Sequence, residues 1–146
     1  MRYLLDTCVL SEMVKSTPDA NVVQWFEGRK PNELCISAIT WGELRRGVAK
    51  LPESKRRSEL TSWLRRLEAG FEDRILAFDQ NASEAWATIT VQTETQGKSL
   101  AALDSIIAAT ARAHNCKLVT RNVRDFAHAG IDTLNPWEGP RGAGGS

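Results

Sequence analysis

The chain of 146 residues is 42% hydrophobic and has a formal net charge of +1, which supplies one sizeable core and excludes a uniformly basic, polyanion-coating domain. No apolar run approaches the roughly 18 residues of a membrane span, and the start lacks the basic, then apolar, then small-residue order of a secretory signal, so a chain working in the cytoplasm is the expectation. Three scattered cysteines, Cys8, Cys35 and Cys116, sit among apolar neighbours and argue against both a disulfide framework and a grouped-thiol zinc site.

In chain order, the first apolar run, Arg2 to Leu5, reads as a strand that ends in Asp6 and Thr7. Asp6 suits two roles equally, a cap for the following helix or a cation ligand at the top of a central strand. Leu34 to Ile36 is the second strand, and Ser37 caps a helical stretch running to Lys50. Within it Glu43 has Ile39 four residues before and Gly47 four after. The small neighbour leaves the carboxylate unscreened, although a lone glutamate there reads as an ordinary exposed helix residue. Residues 45–66 bring eight Lys or Arg against Glu53 and Glu59, a local +6 that leaves −5 for the remainder. This basic flank is either a pair of solvated helix faces or a phosphate-binding surface.

Arg74 to Phe78 is the third strand and Asp79 the cap of the next helix. From Ser99 to Asn115 the three-to-four spacing of Leu103, Ile107, Ala111 and His114 predicts another helix. Asp104 stands on its apolar side, with Leu100, Ala101, Ile107 and Ala108 as helical neighbours. A carboxylate placed there calls for a proton, a hydrogen bond, a cation such as Arg121, or a metal ion. The fourth strand, Lys117 to Thr120, runs into Arg121, Asn122 and Asp125, and Thr133 with Leu134 makes a short edge strand. Gly139 to Ser146 reads as a flexible Gly-rich tail beyond a single domain of residues 1–138.

Short strands alternating with helices predict an α/β sandwich with a mostly parallel sheet, because parallel strands need crossover helices. Ligands of such sheets gather beyond the carboxyl ends of the strands, the edge to which Asp6 and the cluster after Thr120 belong. Carboxylates converging there would repel one another unless a divalent cation neutralised them. Oxygen ligands without grouped Cys or His suit Mg²⁺ or Mn²⁺, and the natural chemistry is metal-assisted hydrolysis of a phosphodiester by water.

Four segments, "LLDT", "SAITWGELRRGV", "LDSIIAATARAH" and "LVTRNVRDF", resemble the four blocks of PIN-domain nucleases. The likeness spans residues 1 to about 137 and is greatest to the VapC and FitB-like toxins of toxin-antitoxin pairs. It implies a three-layer α/β/α fold, RNA cleavage, a homodimer, and a small VapB-like antitoxin through which operator DNA is reached. It also implies that Asp6, Glu43 and Asp104 hold Mg²⁺, with Mn²⁺ as substitute. Many members place an Asp directly after Thr-Arg in the fourth block, where this chain has Asn122 and its next acid at Asp125. Asn122 through its amide oxygen, or Asp125 through a water, completes the candidate catalytic set. Thr7, Thr120 and Arg121 are candidates for support or phosphate contact.

Trp25, Trp63 and Trp86 are expected in the core or a dimer interface, while Trp41, two residues before Glu43, stays open between packing and base stacking. His114 and His128 lack the company of a catalytic histidine, and surface or cap roles are expected for both. A phosphotransfer site of the kind found in receivers or aspartate-nucleophile phosphatases fails on the residues, since Cys8 stands where the phosphatases want a second Asp. The remaining alternative is a catalytically silent module that binds protein or RNA.

Overall fold

Leu4 and Leu5 are consecutive and both wholly buried. Successive side chains of a strand point to opposite faces, so both faces of this strand must be covered. In the computed structural model, which describes residues 1–140, that strand is the middle of a five-stranded sheet. Strands β1 (Arg2–Leu5), β2 (Leu34–Ser37), β3 (Ile75–Leu76), β4 (Cys116–Val119) and β5 (Thr133–Leu134) lie in the order β3-β2-β1-β4-β5. Every pairing is parallel.

Helices α1 (Thr7–Met13), α2 (Ala20–Glu27), α3 (Ala38–Ala49) and α4 (Lys55–Phe71) cover one face, where Leu5, Ile36 and Val119 meet Val9, Val22, Leu44 and Leu64. Helices α5 (Gln80–Thr95) and α6 (Ala102–Ala113) cover the other, where Leu4, Cys35 and Leu118 meet Ile89, Ile107 and Ala108. The result is a three-layer α/β/α sandwich. Each wholly buried Leu or Ile contributes about 1.5 to 3 kcal/mol relative to exposure. Among the described residues no helix is long and apolar enough to cross a membrane.

Two expected caps form: Ser37 Oγ accepts from the Thr40 N–H at 3.1 Å to begin α3, and Asp79 Oδ1 from the Ala82 N–H at 3.0 Å to begin α5. α6 is shorter than its periodicity predicts. Residues 99–101 stay outside it, and Ala101 at the cap position offers no side-chain oxygen. Just past its C-cap, Asn115 takes a φ of 53°, the left-handed conformation that asparagine tolerates better than most residues. The third strand is two residues rather than five. Arg74 falls in a preceding 3-10 turn, Glu72–Arg74, with its guanidinium donating to the carbonyls of Pro31, Leu34 and Gly70, and Asp79 already turns the chain into α5.

The expected tail begins with an ordered residue. Gly139 donates to the Pro136 carbonyl at 3.3 Å. Its φ is +75°, and a Cβ there would stand 3.0 Å from the Asn21 side chain, so glycine fits where other residues would not. Residues 141–146 of that tail lie outside the described residues.

The strand order fixes where ligands go. The chain steps outward from β1 to β2 and β3, then crosses to the opposite side for β4 and β5. The connections leaving β1 and β4 therefore diverge, and a crevice opens between their carboxyl ends.

Candidate active site

Asp6 and Thr120 stand at that crevice, each the first residue beyond its strand. The Asp6 N–H donates to the Val119 carbonyl at 2.9 Å, and the Thr120 N–H to that of Leu134 at 2.9 Å, so both positions continue the sheet's hydrogen bonding. Of the two readings of Asp6, the helix cap is present. Oδ1 accepts from the Thr7 N–H at 2.8 Å, capping α1, while Oδ2 accepts from the Thr120 hydroxyl at 2.7 Å. Asp6 is 7% exposed and Thr120 is wholly buried, so their bond is made away from water, where losing one partner costs the most.

The network runs further in both directions. Thr120 Oγ1 accepts from the Asn122 N–H at 3.1 Å. On the other side the Thr7 hydroxyl donates to Glu43 Oε1 at 2.8 Å. Glu43 thus points inward from α3 and pairs with no arginine of its own helix. A continuous path, Asn122 to Thr120 to Asp6 to Thr7 to Glu43, joins the ends of β1 and β4 to α3. Cys8, expected only as a small hydrophobe, adds a weak contact to Asp6 Oδ2 at 3.7 Å. Burial, with the Asp6 charge beside it, pushes the Cys8 thiol above its ordinary pKa despite a backbone hydrogen bond from Arg121.

Asp104 differs from this pair. It lies in the first turn of α6, half-buried, and among the described residues it accepts no hydrogen bond and forms no ion pair. Burial first, then the negative charges of Asp6, Asp125 and Glu43, push its carboxyl above the usual aspartate range. That repulsion places the four acids in one field. Asp125 comes from a 3-10 turn, Val123–Phe126, in which Phe126 is buried and Asp125 exposed. Asn122 is held through its backbone N–H, and its amide makes no hydrogen bond among the described residues. The Arg121 partner considered for Asp104 is engaged elsewhere, stacked 5.1 Å over the Trp137 ring.

The donor set fits a hard divalent cation: all ligand atoms are oxygen, and the charges exceed what the local basic residues balance. The carboxylates as they stand are near enough to repel. Among the described residues, however, no three acidic, His or Cys groups are gathered to the spacing of a closed metal site. Among the described residues, one oxygen of Glu43 and the side-chain oxygens of Asp104, Asp125 and Asn122 accept no hydrogen bond, whereas both oxygens of Asp6 do.

A family model, the PIN domain, matches residues 3–131. The chain belongs to the PIN-domain family. VapC ribonuclease Y4jK of Sinorhizobium fredii is 42% identical over 139 residues, covering 92% of this chain and 97% of that protein. Toxin FitB of Neisseria gonorrhoeae is 39% identical over 138 residues, with 92% and 97% covered. The FitAB complex bound to the IR36 DNA fragment contains a chain that superposes with a TM-score of 0.88 at 37% identity, covering 92% of this chain and 95% of that one. The PIN-domain sandwich and its α/β/α layering, expected from the sequence, are the observed fold.

Other expectations divide. Trp25 and Trp63 pack partly buried against the core under α1 to α4, as does Trp41, which also lies 5.9 Å under Arg45. Trp86 does not join the core. It is 41% exposed and donates to Ser105 Oγ at 3.0 Å. His114 is the C-cap residue of α6. His128 is exposed and lies beside Lys98 and Arg124, two residues that nothing in the sequence singles out. Their convergence is tertiary, so no local spacing marks it. Glu12 has no sequence signal either: it is 5% exposed and accepts from Lys15 Nζ and from the Asp19 N–H, both at 2.8 Å, pinning α1 to the start of α2.

Proposed function

We propose that the chain is a metal-dependent endoribonuclease, the toxin of a toxin-antitoxin pair, which hydrolyses RNA phosphodiester bonds. The observation that supports it most is the unpartnered Asp104 in the field of Asp6, Glu43 and Asp125. Asp6, Glu43 and Asp104 would hold Mg²⁺, with Mn²⁺ as substitute, and Asp125 or Asn122 would act from the β4 side. When bound, the ion would supply charge neutralisation at the phosphate and lower the pKa of a bound water.

The chain's own residues do the positioning. Thr120 and the Thr7 N–H lock Asp6, so one carboxylate keeps its geometry through the reaction. The Thr7 hydroxyl holds one oxygen of Glu43 and leaves the other without a hydrogen bond among the described residues. A carboxylate there takes a proton from the attacking water as the water oxygen bonds to phosphorus, and the bond to the sugar oxygen breaks with that oxygen taking a proton from solvent. Arg121, held over Trp137 at the rim, offers a guanidinium for a phosphate of the incoming strand.

The partner is a cognate VapB-like antitoxin, a reading supported by the likeness to FitAB, with DNA reached only through it. A homodimer accords with the exposure of Trp86 and Leu103, 41% and 42% on the single chain. Such a protein acts in the cytoplasm.

The test is RNA cleavage by wild type and Asp104→Asn, with and without EDTA. Cleavage that EDTA and the substitution each abolish, with folding intact, is the expected result. Equal cleavage in EDTA would remove the metal from the reading, and a folded wild type that cuts no RNA would leave the silent binding module.

A further inference from the structure

Beside the acids lies a cavity of about 490 Å³, walled by Asp104 and Asp125 on the site side and by Lys98, Arg124 and His128, with Leu100 and Ala129 as its apolar part. Its volume falls within the range of about 300 to 1,000 Å³ typical of small-molecule sites.

The fold builds this cavity from two fixed turns. At the end of α5, Gly97 takes a φ of +70°, and the Lys98 N–H donates back to the Thr93 carbonyl at 3.0 Å. This is the Schellman arrangement, which sets the Lys98 backbone after a helix end. After β4, the 3-10 turn is anchored by Phe126 and Ala129, each 1% exposed. With the apolar residues turned inward, Arg124, Asp125 and His128 are left on the outside.

The charges in this cavity are not used up by the protein. Lys98, Arg124 and His128 share its wall with two carboxylates, yet among the described residues none of the three forms an ion pair. None of the three basic side chains makes a hydrogen bond among the described residues. Acids alone would repel every phosphate of a polyanionic strand except one neutralised by a metal ion, so a strand that continues past them needs cationic groups alongside. The cavity supplies two cations and an imidazole at that place, and half-buried Leu100 gives an apolar contact for a sugar or base.

We propose that this cavity binds the nucleotide next to the bond that is cut, its phosphate against Lys98, Arg124 and His128 and its sugar or base against Leu100. The inference rests on the nuclease reading, and it makes Lys98, Arg124 and His128 positioning residues that set where the strand lies relative to the acids.

The test does not depend on cleavage. The chain has two histidines; His114 caps the end of α6 away from Asp104 and does not line the cavity. In proton NMR of the metal-free protein at constant pH and ionic strength, 5′-AMP, 5′-UMP, uridine and inorganic phosphate are titrated while both imidazole C2–H signals are followed. The nucleotides are expected to move the His128 signal saturably and to leave that of His114 in place. Uridine and phosphate alone should act at least tenfold more weakly, as should the nucleotides on folded Lys98→Ala and Arg124→Ala. Nucleotides that move neither signal, or both alike, would overturn the proposal, as would variants that bind like wild type.

An RNA-cleavage assay on the same samples separates the two readings. Nucleotide binding without any RNA cutting removes the nuclease and keeps the cavity. Cutting without binding here does the reverse.

Discussion

Asp6 and Asp104 are both aspartates at the N-terminal ends of helices on one edge of the sheet, yet the fold treats them in opposite ways. Asp6 is 7% exposed and both its oxygens are occupied, by the Thr7 N–H and the Thr120 hydroxyl. Asp104 has no partner among the described residues, and its carboxyl is pushed above the usual range by burial and by three neighbouring acids. An acid satisfied by the protein contributes to stability, whereas one left in a field of like charge lowers stability until something outside the chain neutralises it. Asp6 is therefore scaffold and candidate ligand together, whereas Asp104 is a candidate ligand that contributes no bond to the scaffold among the described residues.

This contrast can be broken most sharply at Asp104. Asp104→Asn is expected to lower RNA cleavage on the order of 100-fold or more, while thermal unfolding in EDTA shows stability equal to or above that of wild type. Asp6→Ala should instead lose both properties. Loss of the cap and of the buried partner of Thr120 should destabilise by about 2 to 4 kcal/mol in urea unfolding. Thr120→Val leaves the acids in place and removes one donor to Asp6. A loss of about 1 to 2 kcal/mol is expected, with roughly tenfold slower cleavage.

The pH dependence follows from the direction of the Asp104 shift. Its folded pKa lies above its unfolded value, so the folded state binds the proton more tightly. The contribution is fully present below the unfolded pKa and is lost as pH rises through the folded one. Metal-free wild type should lose stability across the range just above ordinary aspartate titration, and Asp104→Asn should lack that component of the denaturation profile. The smallest effect is expected for Thr7→Val, which frees Glu43 Oε1. Its stability should change by about 1 kcal/mol or less, readable as a shift in urea midpoint.

The sequence made some of this legible because the signals are local. Ser37 and Asp79 announce their helices through a side-chain oxygen placed before an apolar pattern, and both caps are present. The strand-end position of Asp6 follows from a four-residue apolar run and the parallel order of the sheet. What was not legible depends on the meeting of distant segments. Thr7 and Glu43 are 36 residues apart, and Asp6 and Thr120 are 114 apart, so neither bond has a sequence signature. Arg74 looked like a strand residue, but its guanidinium is drawn to three carbonyls of other elements, which ends the strand's claim on it. Trp86 carries a helical pattern that suits a core, yet the slot beneath α5 is filled by Ala82 and Ile89 and leaves it on the surface.

Calorimetric titration of Mn²⁺ into metal-free wild type and Asp104→Asn tests the contrast most directly. Wild type is expected to bind the ion saturably and to unfold at higher temperature in its presence, and the folded variant to show neither effect. A folded wild type that ignores Mn²⁺, or a variant that binds it as wild type does, would contradict the reading of Asp104 as an acid held in reserve for a cation.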